Sequence, residues 1–207
     1  MPKMKTLKFY HIAKELEKIH FPHLKSNPYI VGHDETNMWD YAAPSFHFKP
    51  PNALMTERVV NDLRLNNKRL LDACCGPAYL EQLLVHGFGV PSEQIHLADI
   101  SSKDIPKGFN YSQIDIFNEL SALAGAYDYI IFPLFPHPLL DESNNLEKSI
   151  NSQYSLLKNA LSLLKPNGQV RVSPGFKNGF GIREKFESEF PNMRLCIYPG
   201  LTHVTKK

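Results

Sequence analysis

Three aspartates carry the chemistry that this sequence can do. Asp72 closes the apolar run KRLLDAC, Asp99 closes QIHLAD, and Asp115 lies near the end of YSQIDI. Each run reads as a short strand, so three carboxylates stand at three successive strand ends. In an open α/β sheet, ligands bind outside the carboxyl ends of the strands, beside the point where strand order reverses. Carboxylates there suit a ligand that offers hydroxyls and an amine. Between the first two acids lies Cys74-Cys75-Gly76-Pro77-Ala78, a tight turn leading into a helix. It is neither the G-x-G-x-x-G of a dinucleotide site nor the G-x-x-x-x-G-K-[ST] of a phosphate loop, and it holds no lysine or arginine to meet phosphate. Asp99 lies 23 residues beyond Gly76, the spacing of an acid that reads a ribose diol. The ligand that fits is a nucleoside without phosphates.

The elements that must position these residues alternate. After the first strand, Tyr79 to His86 is helix-like. Strands follow at QIHLAD, YSQIDI and YDYIIFPLF, the last having no charge after Asp128 and the most apolar of the set. Ile150, Tyr154, Leu157, Leu161 and Leu164 share one face of a long helix. KPNG reads as a turn, QVRVSP as a fifth strand, residues 179 to 190 as a helix, MRLCIYP as a sixth strand and LTHVTKK as a seventh. Such alternation predicts a mostly parallel sheet with helices on both faces. Upstream, residues 4 to 20 form an amphipathic helix with Leu7, Ile12, Leu16 and Ile19 near one face. The proline- and aromatic-rich stretch that follows has no clean period and reads as an ordered irregular segment or a flap. Asn52 is the expected cap of a helix from Ala53 to Leu65, ended by Asn66 and Asn67. The expected division is an N-terminal extension, 1 to 52, packed on an α/β domain, 53 to 207.

Composition narrows the class. With 23 basic and 21 acidic residues the net charge is +2, without the basic excess of a general nucleic-acid binder, so a nucleic-acid acceptor is not expected. Three cysteines with no C-x-x-C give neither a disulfide framework nor a zinc site, and no metal is expected. A reducing, cytoplasmic setting fits this usage. No run reaches the ~18 apolar residues of a membrane span, and the N-terminus does not read as a secretory signal. Nothing in the sequence sets an oligomeric state.

Taken together, these motifs resemble those of the class I S-adenosylmethionine-dependent methyltransferases, well over residues 68 to 175 and loosely upstream. LLDACCGPAYL looks like the first motif of that family, HLADIS the second, and SQIDIFN the third; YDYIIFPLFPHPL and LLKPNGQVRVS look like the fourth strand and the approach to the fifth. The resemblance implies a Rossmann-like seven-stranded fold and S-adenosyl-L-methionine as cofactor. It implies that Asp72 orients the methionine amino end and that Asp99, with Ile100 beside it, binds the ribose. Asp115 and Ile116 would meet the adenine. Ala73, Cys74, Gly76, Ala78 and Phe132 would complete the cofactor site, with Gly76 allowing close approach. WDYAAPSFHF also looks like the entry segment of quinone-biosynthesis-type methyltransferases.

This chain departs from the family pattern where Cys74 and Ala78 replace glycines. Ala78 is expected to start the helix in right-handed conformation, where alanine is comfortable, leaving one methyl group aimed at the cofactor. ISSKDIPKGFN is too short and too broken by proline and glycine for a crossover helix, so a loop is expected there. Cys74 and Cys75 have no basic neighbour in sequence to activate them and read as packing residues. His137, in FPLFPHPL after the fourth strand, is the candidate base for a methylated hydroxyl or amine. Trp39, Tyr41, Phe46 and Phe48 are candidates to wall an apolar or aromatic substrate as a lid, or else to pin the extension to the sheet. The expected function is methyl transfer to a small molecule. A non-catalytic partner-binding protein of the same fold, and a non-methylating user of the same cofactor, are the alternatives.

Overall fold

In the computed structural model the described residues are 3–22, 44, 48–49, 53–100, 105–123, 126–133, 146–172, 179–198 and 201–206. Seven strands form one sheet: β1 (Leu70–Ala73), β2 (Ile95–Asp99), β3 (Asn110–Gln113), β4 (Tyr127–Phe132), β5 (Leu164–Val172), β6 (Met193–Tyr198) and β7 (Leu201–Lys206). Their order is β3-β2-β1-β4-β5-β7-β6. The first five are parallel, and β7 runs antiparallel between β5 and β6. Chain order therefore reverses between β1 and β4, at the centre of the sheet.

The strands alternate their side chains between two cores. Leu71, Ala98, Ile130 and Val170 face the helices α4 (Leu146–Ser162) and α5 (Gly179–Glu189), which contribute Leu157, Leu161 and Phe186. Leu70, Leu97 and Ile131 face the other way. There they meet α1 (Lys3–His20), α2 (Glu57–Leu65) and α3 (Tyr79–Gln82), the last prolonged by a wider turn at Leu83–Gly87. All six residues of β4 are buried, as its apolar sequence demands of a central strand covered on both sides. Ala13, Phe21 and Phe48 stand in the same buried cluster as Leu70 and Ile131, so the upstream segment closes one face of the sheet. Gly87 lets α1 approach closely: a Cβ there would lie 3.3 Å from Leu16 Cδ1.

Two local expectations are corrected. Helix α2 starts at Glu57, and Thr56 is its cap: Val59 N–H donates to Thr56 Oγ1 at 3.3 Å. Leu54 and Met55, just before the cap, are wholly buried. Asn52, the expected cap, lies outside the described residues. At the other end Asn66 caps and Asn67 adopts φ +51°, as read from the sequence. The second correction concerns KPNG, which falls inside β5 as a bulge. Tyr127 pairs with Leu164 and Tyr129 with Gln169, so the intervening residues of β5 loop out opposite Asp128. Asn167 takes φ +64° there, and Lys165 Nζ reaches Asp128 Oδ2 at 2.9 Å. Residues 105–109, before β3, carry no helix.

Candidate functional site

The loop after β1 sits at the carboxyl edge of the sheet, beside the reversal of strand order. Cys74 N–H still donates to Ala98 O at 2.8 Å, after which the chain turns sharply. Cys74, Gly76 and Ala78 all have positive φ, at +96°, +49° and +55°. Ala78 N–H closes the turn on Cys75 O at 2.9 Å, and Gln82 Nε2 donates to Pro77 O at 3.1 Å. The right-handed conformation expected of Ala78 is thus overturned: it is left-handed, with ψ 34°. The loop still needs left-handed residues where the family pattern has glycine, although two of the three here carry a Cβ. For an L-residue that conformation costs about 1–2 kcal/mol. The Ala78 methyl is fully buried in the α1–α2–α3 core and so is taken up in packing.

Asp99, the last residue of β2, is half-buried, and its Oδ2 accepts the Gly76 N–H at 2.9 Å. Its carbonyl accepts from Tyr111 Oη at 3.1 Å and Ile114 N at 2.9 Å, so the strand end is held on both sides. Ile100 beside it is 69% exposed, an apolar surface next to a carboxylate at the strand end.

Asp72 stands differently. It is the third residue of β1, in register with Leu97 on one side and Ile131 on the other, and it is 0% exposed. Glu81 of α3, equally buried, lies against it. Among the described residues, no third residue donates to any of their four carboxyl oxygens. Burial raises the Asp72 carboxyl well above the carboxylate range, with Glu81 and Asp99 adding to it. Burial raises Glu81 too, opposed by its hydrogen bond with Asp72.

Asp115 lies beyond β3, which ends at Gln113. Its oxygens accept from Phe117 N at 2.9 Å and Asn118 Nδ2 at 2.7 Å, while its own N–H donates to Glu119 Oε2 at 2.7 Å. The residue thus caps a local turn. Ile116, Phe132 and Ala73 are buried in the core on the α4 side. Phe48 is buried too, stacked on Phe88 with ring centroids 5.2 Å apart and tilted against Phe9. Its ring is taken up in packing and pins the upstream segment. Burial pushes the Cys74 and Cys75 thiols up, the opposite of activation. His137, Trp39, Tyr41 and Phe46 lie outside the described residues. Among the described residues no cluster of metal-ligating side chains occurs, and no helix is long and apolar enough to cross a membrane.

Glu81 and Arg171, both buried, were not singled out in the sequence. Glu81 was legible only as the one acid in the helix after the loop. Arg171 on β5 is 9% exposed and donates from Nη1 to Leu54 O at 2.5 Å, while its Nε has no partner. It is in register with Ile131, as Asp72 is, so the acid and the base share one row across the same face of the sheet.

No protein-family model matches the chain, and no curated protein sequence does. Solved structures do match in fold. TrmN from Thermus thermophilus aligns with a TM-score of 0.51 and 17% identity, over 74% of this chain and 49% of that one. NSun6 from Pyrococcus horikoshii, solved with SFG, gives 0.50 and 16%, over 68% and 48%. SAM-bound CalS10 from Micromonospora echinaspora, an amino pentose methyltransferase, gives 0.50 and 12%, over 72% and 87%. The chain spans about half the length of the first two. The fold is that of the class I S-adenosylmethionine-dependent methyltransferases. The comparisons give no support to the expectation against a nucleic-acid acceptor.

Proposed function

We propose that this protein binds S-adenosyl-L-methionine at the carboxyl ends of β1 and β2 and transfers its methyl group to a small, aromatic or apolar acceptor. The observation that carries the reading is the Asp99–Gly76 contact. It places a strand-end carboxylate against a positive-φ loop beside the reversal of strand order. The residues present fit such a ligand. Asp99 would accept from ribose hydroxyls, Ile100 offers an exposed apolar surface to a base, and no cation stands between residues 70 and 82 to call for phosphate. When bound, the cofactor supplies a methyl group activated on a sulfonium. The protein's own work is then to hold the acceptor in line with that methyl, which alone can supply much of the rate. His137, after β4, is proposed as the base that takes the acceptor's proton. The setting proposed is cytoplasmic.

The test is the melting temperature with S-adenosylmethionine or S-adenosylhomocysteine. At about 100 times the dissociation constant the expected stabilisation is about 2.7 kcal/mol. Mass spectrometry then follows methyl gain in a metabolite extract and, separately, in RNA. No shift with either ligand would overturn the reading and leave a methyltransferase fold that works by binding a partner. Methyl gain in RNA alone would overturn the small acceptor.

A further inference from the structure

Asp72 and Glu81 bracket the loop. Asp72 is the third of the four residues of the strand before it, and Glu81 is in the helix that follows. Their side chains meet, both 0% exposed, and among the described residues no third residue donates to either carboxyl group. Two adjacent carboxylates in such a place cannot both be ionised, because each loses its hydration and repels the other. One proton between them removes the repulsion and leaves one buried charge in place of two. It cancels one charge, and the resulting O–H donor gives the facing oxygen the partner it otherwise lacks.

We infer that Asp72 and Glu81 share a single proton at neutral pH and act as a clasp across the base of the 74–78 loop, with Glu81 as a positioning residue of the cofactor site. The inference rests on the proposed function only in its last clause. Residues held at positive φ without being glycine persist only where their surroundings over-determine them, and here Cys74 and Ala78 are two such residues within five. The Asp99 bond to Gly76 N–H braces the apex, and the shared proton braces the base. Among the described residues the other titratable groups facing the pair are Cys74, Cys75 and Asp99, none of which brings a positive charge. The in-register neighbours Leu97 and Ile131 are apolar. The shared proton is therefore the means by which this pair is neutralised in part. Burial raises both groups, so the folded state keeps a proton that the unfolded chain releases. Stability on this account is fully present below the ordinary carboxylate range and declines as pH rises above it.

The test uses the full chain. Infrared difference spectra between wild type and Glu81→Gln at neutral pH should show the carbonyl stretch of a protonated carboxylic acid in the wild type. Melting temperatures between about pH 5 and pH 8 should fall more steeply in the wild type than in Glu81→Gln. Glu81→Leu, which leaves Asp72 without any partner, should weaken S-adenosylhomocysteine binding by about tenfold or more. Glu81→Gln, which keeps a donor for Asp72, should weaken it less. Absence of the acid band, or parallel pH profiles for wild type and Glu81→Gln, overturns the shared proton. Equal binding by wild type and Glu81→Leu overturns the positioning role. If Glu81→Leu does not fold, Asp72→Asn serves for the spectrum, since it too must abolish the acid band. If the wild type binds no S-adenosylhomocysteine, the positioning role falls with the proposed function, while the spectrum and the pH profiles still decide the proton.

Discussion

The carboxylate of Asp99 accepts the backbone N–H of Gly76 at 2.9 Å, tying the end of β2 to the apex of the loop that follows β1. The contact joins two residues far apart in sequence, and it fixes where the loop backbone passes relative to the strand-end acid. On the proposed function, a ligand bound there would meet both at once.

Asp99→Ala should remove most of the thermal shift given by S-adenosylhomocysteine. Two terms act together: the ribose hydroxyls lose a charged acceptor, and the Gly76 N–H loses its partner. A hydrogen bond to a charged group contributes roughly 1.5–3 kcal/mol. Retention of the full shift in Asp99→Ala would show that the ribose is read elsewhere.

Ala78 gives a sharper test of the loop. In a right-handed helix start, Ala78→Gly would cost about 1 kcal/mol. At φ +55° the sign of the backbone effect reverses, with about 1–2 kcal/mol of strain relieved. Against this stand the lost burial of one methyl, about 0.8 kcal/mol, and the greater freedom of glycine in the unfolded chain, about 0.4–1 kcal/mol. The expected net change in urea unfolding is within about 1 kcal/mol of zero. Ala78→Val should destabilise by about 2 kcal/mol or more, because a β-branched residue is disfavoured at positive φ and the site is already filled. Tolerance of valine would contradict the left-handed assignment.

The sheet was legible in the sequence because its strands are short apolar runs separated by helical periods. Asp99 stands at a strand end as read, because its strand ends where the alternation ends. Asp115 read as a strand end, but the strand stops at Gln113. What the sequence hid there was a competing local structure, since Asp115, Asn118 and Glu119 satisfy one another in a turn. Ala78 was misread because its conformation is imposed by the turn across Cys75, and propensity governs only where tertiary constraint is weak. Glu81 and Arg171 were missed for a related reason: a charged residue in an element reads as solvated, and only packing shows that it faces inward.

Asp128 tests the opposite end of the sheet. It accepts from Arg69 N, Lys68 Nζ and Lys165 Nζ, each at 2.9 Å, joining the start of β4 to the bulge in β5. Burial works to raise its carboxyl, but these donors outweigh it and hold the group below its ordinary value. Its contribution is therefore present at neutral pH and lost as pH falls through the lowered value. Asp128→Ala should cost about 2–3 kcal/mol in urea unfolding, the range for removing a partly buried charge with several donors. It should not alter ligand binding, since the residue lies at the amino end of the strands. A cost below about 0.5 kcal/mol would place this network with ordinary surface ion pairs.

His203 on β7 gives the last prediction. Burial, with Arg171 and Arg194 nearby, pushes its imidazole down to about 4. The folded state thus keeps His203 neutral while the unfolded chain protonates near the ordinary value of about 6.5. Stability from this group is fully present above that value and is lost as pH falls toward the folded one. At pH 5 the difference corresponds to at most about 2 kcal/mol, and solvent screening of a partly exposed group reduces it to about 1 kcal/mol. His203→Gln should therefore shrink the fall in melting temperature between about pH 7 and pH 5 without abolishing it. His96, which burial and Arg69 also hold down between Tyr127 and Ser112, contributes to the remainder with the same sign. The Asp72–Glu81 pair acts with the opposite sign, favouring the fold as pH falls, so the histidines and the acid pair can be separated. His203→Gln changes the acid side of the profile, and Glu81→Gln changes the slope from the carboxylate range upward. An unchanged acid slope in His203→Gln would show that its imidazole is protonated in the folded protein, beside Arg171.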